Sequence, residues 1–139
     1  MIAAAYLAAL VLHNAAPSPL AQLATAERQA AFKIVLLPPS TQLLRAAASP
    51  DGSAVRLAYS IEGAEIVIEE RPAATAPQPA VIRSDEAFSL DGYVATYDES
   101  GSYRGVRALT WYRPDVTVTV SSRDAVSTPL LVDIALELR

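Results

Sequence analysis

Between Ala54 and Arg71, apolar and polar residues alternate on either side of Glu62-Gly63. An alternation of period two puts successive side chains on opposite faces of a strand. A glycine in the second central position suits a two-residue hairpin turn, which needs positive φ there. With Glu62-Gly63 as the turn, Ile61 faces Ala64, Tyr59 faces Ile66 and Leu57 faces Ile68. One side then carries Val55, Leu57, Tyr59, Ile61, Ile66 and Ile68, while the other sets Arg56 opposite Glu69 and Ser60 opposite Glu65. A slip of one residue would mix the two faces, so the apolar side and the cross-strand ion pair support one register. A chain carrying this unit is committed to antiparallel sheet.

A second hairpin is expected from Val106 to Ser122, with Pro114-Asp115 at the centre of its turn. Proline presets φ for the first central position and aspartate suits the second. Pairing Arg113 with Val116 sets Trp111 against Val118 and Leu109 against Val120 on an apolar face. The opposite face is Ala108, Thr110, Tyr112, Thr117, Thr119 and Ser121, polar but β-prone. Leu90 to Tyr97 reads as a strand with a bulge or tight bend at Asp91-Gly92. Phe32 to Leu37 is a first strand or an extended segment leading into the sheet, stopped by Pro38-Pro39. Thr41 to Ala48 reads as a helical turn or a loop, and Pro50-Asp51-Gly52 as a turn. Pro72 to Pro79 is an extended connection, Ala80 to Arg83 a short strand, and Asp98 to Gly105 a polar loop. The chain ends in an amphipathic helix capped by Thr128 with Pro129 behind it. Leu130, Leu131, Ile134, Ala135 and Leu138 form its apolar stripe, with Asp133 and Glu137 facing out.

The N-terminal side is different. The first charged side chain is Glu27, and Ile2 to Leu12 is an unbroken apolar run. That run is shorter than the ~20 residues a membrane-spanning helix needs, and matches the ~7–15 of a secretory h-region. Three readings stand: a signal sequence, part of a longer membrane helix tethering the chain through residues 2–12, or an Ala-rich helix docked on the domain or a neighbour. Residues 19–31 are expected to form a second short helix with Leu20, Leu23, Ala24 and Ala31 on its apolar side. The chain is therefore divided into an apolar leader, 1–30, and an α+β domain, 31–139. In that domain a curved antiparallel sheet of hairpins carries the C-terminal helix on one face.

Composition narrows the function. The 139 residues carry a net charge of −4, which argues against a nucleic-acid partner. There is no cysteine and one histidine, His13, so thiolate chemistry is excluded and an imidazole-based site has almost no material. The raw material for acid–base catalysis is three adjacent carboxylate pairs, Glu69-Glu70, Asp85-Glu86 and Asp98-Glu99. Neighbours along a strand point to opposite faces, so such pairs do not converge on a substrate. Asp98, Glu99 and Ser100 lack the alternating carboxylates of a calcium loop. No catalytic, cofactor or metal site is expected, and the binding residues are left open.

Four segments occur in a suggestive order: Leu90-Asp91-Gly92-Tyr93, Ala108-Leu109-Thr110-Trp111, Val116-Thr117-Val118-Thr119-Val120, and Leu130-Leu131-Val132-Asp133-Ile134-Ala135. Upstream stand a Phe…Pro segment (Phe32 to Pro38), a Tyr-bearing strand and an Ile-x-Ile strand ending in Pro72. Over residues 31 to 138 this resembles an uncharacterised bacterial domain family found at the extracytoplasmic C-terminus of anti-sigma-factor-like membrane proteins. That family is similar to the lipoprotein-carrier (LolA-like) class. The resemblance implies a non-catalytic sensory or apolar-ligand-binding module outside the cytoplasm, secreted or tethered to the membrane. Its partner would be a lipid or lipoprotein-like apolar ligand, or another envelope protein. The competing expectation is a structural or interaction domain that assembles through its N-terminal helix.

Overall fold

The computed structural model describes residues 16–73, 87–98 and 107–139. The run 2–12, His13, the expected strand at Ala80–Arg83 and the loop beyond Asp98 lie outside them. The described elements are helix α1 (Pro19–Gln29), strands β1 (Gln42–Ala48), β2 (Val55–Ile61), β3 (Ala64–Pro72), β4 (Ala87–Leu90), β5 (Tyr93–Asp98), β6 (Arg107–Tyr112) and β7 (Val116–Ser122), and helix α2 (Thr128–Glu137). The strands form one curved, unclosed antiparallel sheet in the order β1-β2-β3-β7-β6-β5-β4. Two meanders, β1 to β3 and β4 to β7, are thus joined where β3 pairs with β7.

The β2–β3 hairpin has the register expected from its alternation, from Ile61 opposite Ala64 to Val55 opposite Glu70. The β6–β7 hairpin also follows expectation, with Trp111 opposite Val118 and Leu109 opposite Val120. Its Arg113 N–H donates to Val116 C=O at 3.2 Å across the Pro114-Asp115 turn. Joining the two registers through Ile68 opposite Val120 aligns the apolar sides of both hairpins. That common face carries Leu57, Tyr59, Ile66, Ile68, Val118, Val120, Leu109 and Trp111, all buried in one core. Over it lie α2, through Leu131, Ile134 and Ala135, and the extended segment 32–37, through Ile34, Val35 and Leu37.

Four expectations are corrected. Thr41 to Ala48 is neither helical turn nor loop: residues 42–48 are strand β1, paired with β2 around a bulge between Leu43 and Arg45. Its Ala, Leu, Arg and Gln content favours helix, but pairing with a fixed neighbour overrides a preference of a few tenths of a kcal/mol per residue. Asp91-Gly92 is not a bulge within one strand but the turn between β4 and β5. Both residues have positive φ, 50° and 83°, as Glu62 and Gly63 do at 52° and 79°. In α1, Leu20 is not on the packed side and is 73% exposed. The helix instead turns Gln22 and Ala26 to the sheet, because the edge strand needs an acceptor: Gln22 Oε1 accepts the Ala46 N–H at 3.0 Å. The cap of α2 is Ser127, one residue earlier than expected, with its Oγ accepting from the Leu130 N–H at 3.3 Å.

Residues 19–29 are thus held to the sheet. At the end of α1 the Ala31 N–H donates to Gly52 C=O at 2.9 Å, inside the β1–β2 turn. Asp51 Oδ1 organises that turn by accepting from the Ser53 hydroxyl and N–H and from the Ser49 hydroxyl, which hold its carboxyl down to about 2. Gly52 has φ +73°, and a Cβ there would stand 2.3 Å from Gln29 O, a backbone atom. Gly52→Ala is expected to cost about 2 kcal/mol or more, from the left-handed backbone together with the clash. Urea denaturation measures it, and an unchanged midpoint would show that α1 is not anchored at this turn.

Candidate functional site

No described helix lies over the face of the sheet opposite the core, and across β1, β2 and β3 that face bears charge. Arg45 pairs with Glu65. Arg56 stands 3.8 Å from Glu69, and Arg71 donates to the same carboxylate at 2.9 Å. Such exposed pairs add little stability each, so what they contribute is an ordered row of side chains. Between them and the start of the α2 connection runs a groove of about 770 Å³. Its floor is Ala47, Ala58, Val67 and Ser121, and its rim is Gln22, Arg45, Arg56, Glu65, Arg123 and Asp124. The rim is pinned by the backbone: Asp124 Oδ2 accepts the Glu65 N–H at 2.9 Å, and Ser122 Oγ donates to Glu65 C=O at 2.9 Å. An apolar floor between guanidinium and carboxylate groups can receive a molecule with both an apolar body and a charged end.

The adjacent carboxylates Glu69 and Glu70 diverge as strand geometry requires. Glu69 is on the charged face, whereas Glu70 points into the core and is 0% exposed. Its Oε1 accepts the Val35 N–H at 2.7 Å, and its Oε2 is buried without a hydrogen-bond partner. Burial pushes this carboxyl up to about 8; the Val35 N–H and the Arg113 charge pull it down by less, and Asp115 adds to the rise. Glu70 lines neither the groove nor a smaller cleft of about 260 Å³ beside Trp111. At that cleft Arg113 is fully engaged. It donates to both oxygens of Asp115 at 3.0 and 2.9 Å and to Leu138 C=O at 3.2 Å, and stands 5.2 Å over the Trp111 ring.

Asp85-Glu86, Glu99 and His13 lie outside the described residues, as does the Asp98 side chain. Among the described residues, no three His, Cys, Asp or Glu side chains group as metal ligands, and no helix is long and apolar enough to cross a membrane. The inward position of Glu70 was available in the sequence, because the alternation Ala64, Ile66, Ile68 reaches it next. The groove was not, since one wall comes from β1 and another from the β3–β7 pairing. No family model, curated protein or solved structure matches the chain.

Proposed function

We propose that this chain is a non-catalytic binding module, of the sensory or apolar-ligand-holding kind implied by its likeness to the outer domains of anti-sigma-factor-like proteins. An extracytoplasmic setting belongs to the same proposal. The observation that carries it is the division of the sheet: one face is filled by its own side chains and by α2, and the other keeps a groove with an apolar floor and a charged rim. The ligand site is the outer groove, and the ligand class is an amphiphile small enough for about 770 Å³. Fluorescence titration with 8-anilinonaphthalene-1-sulfonate, an aromatic anion, tests the site. Val67→Arg, which fills the floor with a charged chain, is expected to weaken binding at least about tenfold, a loss of ~1.4 kcal/mol. Equal binding by both proteins would remove the groove as the site.

A second reading, an interaction domain assembling through its N-terminal helix, has the 73% exposed Leu20 of α1 in its favour. Light-scattering mass separates the two, since assembly requires a mass that rises with concentration.

A further inference from the structure

The layer over the core face is built of two segments secured in different ways. Helix α2 satisfies its own backbone and buries Leu131, Ile134 and Ala135. Segment 32–37 buries Ile34, Val35 and Leu37 but joins no ladder of the sheet. Its Leu36 exchanges hydrogen bonds with Arg139, N–H to C=O at 2.8 Å and the reverse at 3.0 Å. Its other two anchors are ionisable side chains rising from the sheet: Val35 N–H donates to Glu70 Oε1 at 2.7 Å, and Leu37 N–H to Tyr59 Oη at 3.4 Å.

We propose that residues 32–37 are a proton-gated flap, shut over the core face while Glu70 is a neutral acid and lifted when Glu70 ionises.

The geometry leaves Glu70 little alternative. It sits in β3, between Val55 of β2 and Val118 of β7, so its backbone is held on both sides by ladders. An ionised carboxylate whose Oε2 has no donor needs water. Water reaches it at least cost past the segment that lies on its own Oε1 and has no helix or sheet ladder to hold its backbone, and that is the flap. The groups facing it do not supply a substitute. Arg113, from the end of β6, is already committed to Asp115 and to Leu138 C=O, and Asp115 itself opposes the charge. Tyr59 is pushed up by burial and keeps its proton through neutral pH. On the covering elements, Lys33, Asp133, Glu137 and Arg139 carry their charges at solvent-exposed positions. The Val35 N–H favours the ionised form, but by less than burial opposes it, and the acid stays neutral up to about 8 while the flap is shut.

Lifting the flap lets water reach Glu70, which removes part of the burial that holds it up and brings its carboxyl down toward the ordinary 4.5. The open fraction then rises with pH between about 4.5 and about 8 and levels off above, by up to about tenfold per pH unit. Amide hydrogen exchange of the full chain from pH 5.5 to 9 reads this directly, after correction for the intrinsic exchange rate. Protection of Val35 and Leu37 is expected to fall about tenfold per unit up to pH 8 and then stay constant, and to lie at least about tenfold below that of Ile68 of β3 at every pH, since the flap opens without the sheet unfolding. Glu70→Gln is expected to flatten the profile. A flat profile in the unmodified chain, an unchanged slope in Glu70→Gln, or protection of Val35 and Leu37 as high as that of Ile68, which signals opening by global unfolding, would each overturn the flap. Should Glu70→Gln fail to fold, the contrast of Val35 and Leu37 with Ile68 in the unmodified chain decides alone. This switch is independent of the outer groove, and amphiphile binding neither supports nor removes it.

Discussion

Trp111→Ala is expected to cost roughly 3–5 kcal/mol, a large part of the 5–15 kcal/mol that holds a domain of this size folded. The side chain is 2% exposed and stands in the register between Ala95 of β5 and Val118 of β7. Its removal leaves a cavity at the seam where the β4–β5 hairpin joins the rest of the sheet. Two further contacts go with it. The indole Nε1–H donates to Leu90 C=O at 3.0 Å, fixing the strand before the Asp91-Gly92 turn, and Arg113 loses the ring it covers. Trp111→Phe keeps most of the volume and loses that hydrogen bond, so about 1–2 kcal/mol is expected for it. Urea unfolding followed by circular dichroism measures both. As Trp111 is the one tryptophan of the chain, folded-state fluorescence reports on it alone and is expected to be blue-shifted. Emission at the wavelength of hydrated indole, or a cost below about 1 kcal/mol for the alanine variant, would contradict a core position.

Glu70→Gln is expected to stabilise the protein at pH 8 and to leave it nearly unchanged at pH 4. In the folded chain the Glu70 acid is held up to about 8, against an ordinary value of 4.5. Below pH 4.5 both folded and unfolded chains keep the proton, and the group imposes no penalty. Between pH 4.5 and about 8 the unfolded chain releases it while the folded chain does not, so stability falls as pH rises. Above about 8 both are ionised and the loss is complete, on the order of 3–5 kcal/mol. Glutamine resembles the neutral acid in shape and keeps an acceptor for the Val35 N–H, so the variant escapes this loss. A midpoint about 10 °C above that of the unmodified chain at pH 8, converging at pH 4, is the expected thermal result. A lower midpoint for the variant at pH 8 would show that Glu70 is ionised and stabilised in the folded chain.

Both predictions bear on which parts of the structure are local. The β2–β3 and β6–β7 hairpins were legible because each carries its register within about twenty residues: a two-residue turn, two alternating strands and a consistent inner face. Adjacent carboxylates at 69 and 70 were legible as divergent for the same reason. Strand β1 was not, since Gln42 to Ala48 has no alternation of its own and becomes a strand by pairing with β2. Nor was β4, whose four residues are too few to announce a strand, so that Asp91-Gly92 resembled a bend. The groove depends on both gaps in local information: Arg45 and Ala47 come from β1, and Ser121 and Asp124 from the far side of the β3–β7 seam.

By itself, then, the sequence determined an α+β chain of antiparallel hairpins, the two central registers, the apolar stripe of α2 and the absence of thiolate chemistry. These follow from side-chain period, turn chemistry and composition, which act within one element or over the whole chain. Only the tertiary structure decided that the two meanders join at β3 and β7, that α1 closes the β1 edge through Gln22, and that segment 32–37 seals Glu70 into the core. Each of these joins residues 24 or more positions apart, as Gln22 and Ala46 are. Contacts at that separation are selected by what remains unburied or unbonded after the local elements form: an edge N–H, an apolar sheet face, a carboxyl without a partner.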